Sequence, residues 1–463
     1  MARSSSSFFA AQAWIDGAWA RDVLLTVDRD GKWCGVQANA AKAGGDPVIM
    51  LKGPVLPGLV NAHSHAFQRG MAGLTERLGD AGASDDFWSW RDRMYSVARR
   101  VRPAQLEAIA AFLYAELLAG GYTQVCEFHY LHNAADGEPY ADPVEMSLAL
   151  VRAAQTAGIG LTLLPTLYMR SGFWATGLRE DQRRFASTPD SVLRLVEDLR
   201  AQAGAQPNFN AGVALHSLRA AGMAAIKEVS DHAQAAALPV HIHIAEQTQE
   251  VQDCIAATGM RPIECLLSSL PLDARWNLVH ATHASAAELQ AVSQSGACIV
   301  ICPSTEANLG DGVFDLPAYA GAGGNWSIGS DSHVARGWTE ELRLLEYSQR
   351  LTQRRRNVAA SSAGVRSSAA ALWQAALAGG ASGSGQALGA IKVGHRADFL
   401  VLDGQSAALL GVPADYLLDA LVFSSPDARF AQVYVAGRQR LAGPELRTRL
   451  AQDFARTLNA LWA

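Results

Sequence analysis

Histidines and carboxylates at short spacings are the residues of this 463-residue chain best suited to hold a cation. His63 and His65 are separated by one residue, and so are His241 and His243. Glu246 stands three beyond His243, His280 closes an apolar run three before His283, and Asp331 stands in Gly329-Ser-Asp-Ser-His333. Neutral imidazole nitrogens with a carboxylate oxygen suit zinc or a similar divalent ion. Each signal is weak alone. A His-x-His is often a surface or core pair, and one of His241 and His243 could be an interior histidine with a hydrogen bond. Glu246 could be an exposed residue at a helix start, and Asp331 a turn former or helix cap. Together they are far more specific.

The elements that must position these groups can be read from the apolar pattern. Short β-branched runs at 55–61, 123–129, 161–167, 212–216, 239–244, 276–280, 297–302 and 325–329 alternate with stretches at helical spacing, such as 104–119, 191–203, 223–237 and 286–295. Alternation of this kind marks βαβ units and a parallel sheet, and eight repeats most simply close into a (β/α)₈ barrel. On such a barrel the loops at the C-terminal strand ends build the active site. His63 and His65 follow the first run, and residues i and i+2 of an extended chain point the same way. His243 is preferred over His241 because it is nearer the C-terminal end, and one of His280 and His283 should face the mouth. The expected ligand set is His63, His65, His243 and Asp331 around one divalent ion, zinc being the first choice, with iron and manganese also compatible. No lysine occurs between Lys52 and Lys227, so a two-metal site bridged by a modified lysine from a middle strand is excluded. No His is followed by Glu, which removes the His-Glu-x-x-His protease motif.

The ends read differently. Segments 13–37, 397–402 and 431–436 have short-strand character, with a turn at Asp28-Arg29-Asp30-Gly31. They are expected to pair into one small composite β-sandwich domain, split as 1–56 and 386–443, around a barrel at 57–385 and before a C-terminal helix at 444–463. The Gly/Ser stretch 379–389 reads as the return linker.

Composition narrows the class. Apolar residues make up 49% and charged residues 18%, which suits a compact fold with a large core. A formal charge of −5 without a long basic run argues against nucleic acid or an anionic membrane as partner. No apolar stretch is long enough for a membrane span, and the start, residues 1–14, reads as part of the fold. Six scattered cysteines without a Cys-x-x-Cys pair suit buried thiols of a reducing cytoplasm.

At Pro57-Gly-Leu-Val-Asn-Ala-His-Ser-His65, His243-x-x-Glu246, His280 and Asp331 the chain resembles the amidohydrolase superfamily, over nearly its whole length. Within its one-metal deaminase branch it resembles the formimidoylglutamate deiminases, through His63-Ser-His-Ala-Phe-Gln-Arg69, Phe87-Trp-Ser-Trp-Arg-Asp-Arg-Met-Tyr95, Glu127-Phe-His-Tyr-Leu-His132 and His216-Ser-Leu-Arg219. A departure is Asn133, where another histidine is expected. The resemblance implies hydrolysis of N-formimino-L-glutamate to N-formyl-L-glutamate and ammonia in histidine degradation, by a cytoplasmic homodimer. It implies the four metal ligands above, Glu246, His280 and Asp331 as catalytic groups, and Gln68, Arg91, Tyr130, His216 and Arg219 as substrate contacts. A dicarboxylate substrate accords with the two arginines, since guanidinium binds carboxylate through paired hydrogen bonds. The competing readings are a one-metal deaminase of a nucleobase or guanidino compound and, more distantly, an inactive barrel serving as a scaffold.

Overall fold

The computed structural model describes residues 5–41, 48–78, 85–206, 208–424 and 430–463. Eight parallel strands run in the order Leu59–Ser64, Tyr122–His129, Gly160–Leu167, Val213–Leu215, Val240–Ile244, Trp276–His280, Cys298–Ile301 and Asn325–Ile328. The ring is closed by a bridge between Ser64 and Asp331. The Ser330 and Asp331 amides both donate to the His63 carbonyl, at 3.1 and 3.0 Å. Asn61 clasps Ser330 twice, donating to its hydroxyl and accepting from its amide at 2.7 and 2.9 Å. Seven of these strands are buried at every described position, and the eighth at all but its first, as the near-continuous apolar runs require of a sheet covered on both faces. The fourth run is shorter than 212–216 suggests. Gly212 lies between Phe209–Ala211 and Val213–Leu215, at a point where a side chain would strike Pro239 and Leu164.

The chain ends meet in a second, eight-stranded sheet. Its path is Arg438–Gln439, Phe430–Val435, Phe399–Leu402, Val55–Pro57, Ser6–Ile15, Ala18–Val27 and Trp33–Gln37, with Val48–Met50 beside Ser6–Ile15. The sheet curls, so that Phe8 meets Phe399 and Tyr434 with ring centres 5.3 and 5.5 Å apart, and Lys32 bridges back to Arg396. The turn at 28–31 forms as read, with the Asp28 carboxylate accepting from the Asp30 and Lys32 amides. Of the opening segment, residues 1–4 lie outside the described residues, and the rest enters the first strand of this sheet.

The reading of 379–389 as a linker is overturned. Helix Ser368–Ser384 runs through Gly379, Gly380 and Gly383 before ending at Gly385. A Cβ on Gly379 would stand 2.1 Å from the Trp326 carbonyl oxygen, so glycine here permits close helix-to-strand packing and not flexibility. No described helix is long and apolar enough to cross a membrane. All six cysteines are free, five of them buried.

Candidate metal centre and active site

The first barrel strand delivers His63 and His65 to the mouth, and the fifth delivers His243. Their Nε2 atoms converge: His63 to His65 is 3.2 Å, His63 to His243 is 3.0 Å and His65 to His243 is 3.4 Å. Asp331 Oδ1 lies 3.5 Å from His63 Nε2 and 3.4 Å from His65 Nε2. A tetrahedral ion with bonds of about 2.1 Å needs donor separations of about 3.4 Å, which these distances match.

The remaining ring nitrogens fix the tautomers. His65 Nδ1 donates to the Phe128 carbonyl at 2.8 Å and His243 Nδ1 to that of His216 at 3.0 Å. Both Nε2 atoms therefore present lone pairs toward one point, where a cation would satisfy them together. Burial pushes the His63 ring down to about 3 and lowers His65 and His243 as well, so all three stay neutral. Burial works to raise Asp331, but the His63 hydrogen bond and the neighbouring rings hold it well below the ordinary range. The residues fit a divalent ion.

Local backbone chemistry aims these groups. Gly329 lets strand eight lie against His63, since a Cβ there would come within 2.6 Å of the His63 Cβ. His280 and Asp331 adopt the left-handed region, with φ of 70° and 45°. Such conformations persist where the surrounding structure imposes them, often at functional sites.

Beside the cation corner stands a proton-carrying group. His280 Nε2 is 3.7 Å from both Glu246 Oε1 and Asp331 Oδ2, and its Nδ1 is 3.3 Å from Glu306 Oε1. Burial lowers the imidazole, but the carboxylates of Glu246, Glu306 and Asp331 outweigh it and lift His280 to about 10. Burial pushes Glu246 up to about 7 against the pull of His280.

His65, Gln68, Arg91, Tyr130, His216, Arg219, His243, Glu246, His280 and Asp331 all line one small cavity, joined by Phe87, Trp90, Met94, Tyr95 and Leu309. Gln68 donates to the Tyr130 hydroxyl at 3.1 Å. His63 stands wholly buried beneath them. The structure thus gathers every sequence-expected site residue. His241 and His283 go elsewhere, to the carbonyls of Gly383 and Asp311. Asn133 donates to the Ala186 carbonyl and is not part of this cavity.

Three residues have parts that the sequence reading did not assign, although Glu127 and Tyr95 lie within the motifs it quoted. Glu306 is the partner of His280 Nδ1 and also accepts from the Cys302 amide at 2.9 Å. Its position in Pro303-Ser-Thr-Glu306, just after the seventh strand, was the available signal. Glu127 accepts from the Ser64 hydroxyl and the Ala66 amide, both at 2.6 Å, and so pins the chain on each side of His65. Tyr95 lines the cavity from the long aromatic helix Phe87–Ala98.

Comparison with known proteins agrees with this geometry. The model of the amidohydrolase family matches residues 55–440. The chain is 46% identical to the formimidoylglutamate deiminase of Pseudomonas aeruginosa, across 98% of this chain and 99% of that protein. An amidohydrolase from Brucella melitensis superposes with a TM-score of 0.92 at 42% identity, over 99% of this chain and 100% of that one. An adenosine deaminase from Xanthomonas campestris, solved with bound zinc, shares the fold with a TM-score of 0.80 at 22% identity, over 98% of both chains. A barrel with a His-x-His on its first strand, further donors on its fifth and eighth, and a family match spanning both leave one assignment: the chain belongs to the amidohydrolase family.

Proposed function

We propose that the chain hydrolyses N-formimino-L-glutamate to N-formyl-L-glutamate and ammonia, as a step of histidine degradation, with one zinc ion held by His63, His65, His243 and Asp331. The observation that carries this reading is the pairing of two features in one cavity. A corner of histidine and aspartate donors faces two arginines, Arg91 and Arg219, whose buried Nε and Nη1 atoms respectively lack a protein partner. A substrate with two carboxylates supplies both the acceptors and the negative charges that those cations lack, whereas a neutral nucleobase supplies acceptors alone. The relative named for this activity supports the same substrate.

A divalent ion at this corner lowers the pKa of water toward ~7 and so supplies a nucleophile at neutral pH. Arg91, Arg219 and Tyr130 hold the carboxylates and set the formimino carbon over the corner. Asp331 accepts the proton of the attacking water. His280, oriented by Glu306, donates from Nε2 toward the oxygen as the tetrahedral centre forms. Glu246, poised near neutrality by burial, gives a proton to the imino nitrogen; the proton held by Asp331 then passes to the resulting amine, and the C–N bond breaks to release ammonia as the tetrahedral hydroxyl returns its proton to Glu246.

An ammonia-release assay with N-formimino-L-glutamate, guanine and cytosine tests the reading. We expect turnover of the first alone; turnover of either base in its place overturns it. Metal analysis of the purified chain tests the zinc assignment. The free, mostly buried thiols support a reducing cytoplasmic setting, and size measurement in solution tests the proposed homodimer.

A further inference from the structure

The two cavity arginines share a neighbour that the mechanism leaves unused. Trp88 lies three residues before Arg91, one turn away on helix Phe87–Ala98. The Arg91 guanidinium carbon is 4.4 Å from the centre of the Trp88 ring, and that of Arg219, on the loop after the fourth strand, is 5.7 Å from it. Both distances fall within reach of a cation–π attraction. Tyr95 also lies against Arg91, at 5.5 Å, but among the described residues only the Trp88 ring makes a cation–π contact with both arginines. Both arginines line the cavity and Trp88 does not, so the indole meets them outside the substrate space.

Two cations against one ring repel each other, and each belongs to a long, flexible side chain. Pairing each with a protein carboxylate would cancel the charge that the substrate needs. An aromatic face attracts both charges without competing for their N–H groups.

We propose that Trp88 is a positioning residue, the shared platform that holds Arg91 and Arg219 at the spacing of a dicarboxylate and so sets the preference for two-carboxylate substrates. The inference rests on the reading of Arg91 and Arg219 as the carboxylate clamp. Trp88 is only half-buried, so its replacement leaves the barrel core untouched.

The test uses the full-length, metal-loaded protein with two compounds, N-formimino-L-glutamate and N-formimino-L-alanine, which lacks the side-chain carboxylate. Trp88→Leu is expected to raise KM for the first roughly tenfold, the loss of about one cation–π contact, with kcat within twofold. KM for the second should hold, so the preference between them falls about tenfold. Trp88→Phe keeps an aromatic face and should restore most of the KM. An unchanged KM in Trp88→Leu overturns the inference. So does an equal loss on both compounds that Trp88→Phe fails to repair, since that marks general disruption. Arg219→Met separates this from failure of the underlying reading. If Arg219→Met raises KM while Trp88→Leu does not, the clamp stands and Trp88 has no part in it. If Arg219→Met leaves KM flat, clamp and platform fall together.

Discussion

Glu246 and His280 show how surroundings set chemistry one residue at a time, burial lifting the first and neighbouring carboxylates the second. A carboxyl lifted to about 7 can give up and regain a proton near neutrality, which a solvated Glu cannot do efficiently. Glu246→Gln keeps the shape and removes the acid. We expect kcat to fall by about 10²–10⁴ with metal content unchanged, read by ammonia release alongside metal analysis of the same sample. Retained turnover would take Glu246 out of the proton path. Glu306 acts through its contact with His280 Nδ1 and not on substrate. Glu306→Gln should lower kcat roughly 10- to 100-fold, the scale seen when the partner of an active-site histidine is lost, with little change in KM. A KM effect alone would place Glu306 on the substrate side instead.

The placement of these residues is a property of the strands and of the helix beneath them. His63 and His65 face one point because alternate residues of a strand share a face, and Asp331 reaches it because Gly329 lets strand eight come close. The helix Ser368–Ser384 packs its glycines on the barrel, with Gly379 against the strand-eight carbonyl of Trp326. In an exposed helix Gly→Ala stabilises by ~1 kcal/mol. Here the sign should reverse: Gly379→Ala must push the helix from the strand, costing on the order of 1–3 kcal/mol. Thermal unfolding checks this, and a Tm at or above that of the parent contradicts the close-packing account.

At the scale of the whole molecule, the donors tie together strands from opposite ends of the barrel sequence. His63 and Asp331 are 268 positions apart and meet only when the ring closes. A bound ion therefore couples barrel closure to metal affinity, and a ligand at about 1,000 times its Kd adds about 4 kcal/mol to folding stability. Chelation should abolish ammonia release and lower the Tm by several degrees, and zinc should restore both. An unchanged Tm after verified metal loss would show that the closed ring stands without the ion.

Much of this was legible in the chain. Eight apolar runs alternating with helical periodicity specified the barrel, because a strand buried on both faces must be largely apolar. The histidines at the ends of those runs marked its mouth, because functional groups on a barrel gather at one rim. Periodicity could not separate His243 from His241, nor His280 from His283. Those choices depend on how deep each position lies and on which carbonyl its ring nitrogen meets. Nor could composition tell a flexible Gly/Ser linker from a helix with a glycine face, since the difference lies in what the glycines touch. Glu306 and Trp88 matter through groups far away in sequence, so only tertiary packing could bring them into the site.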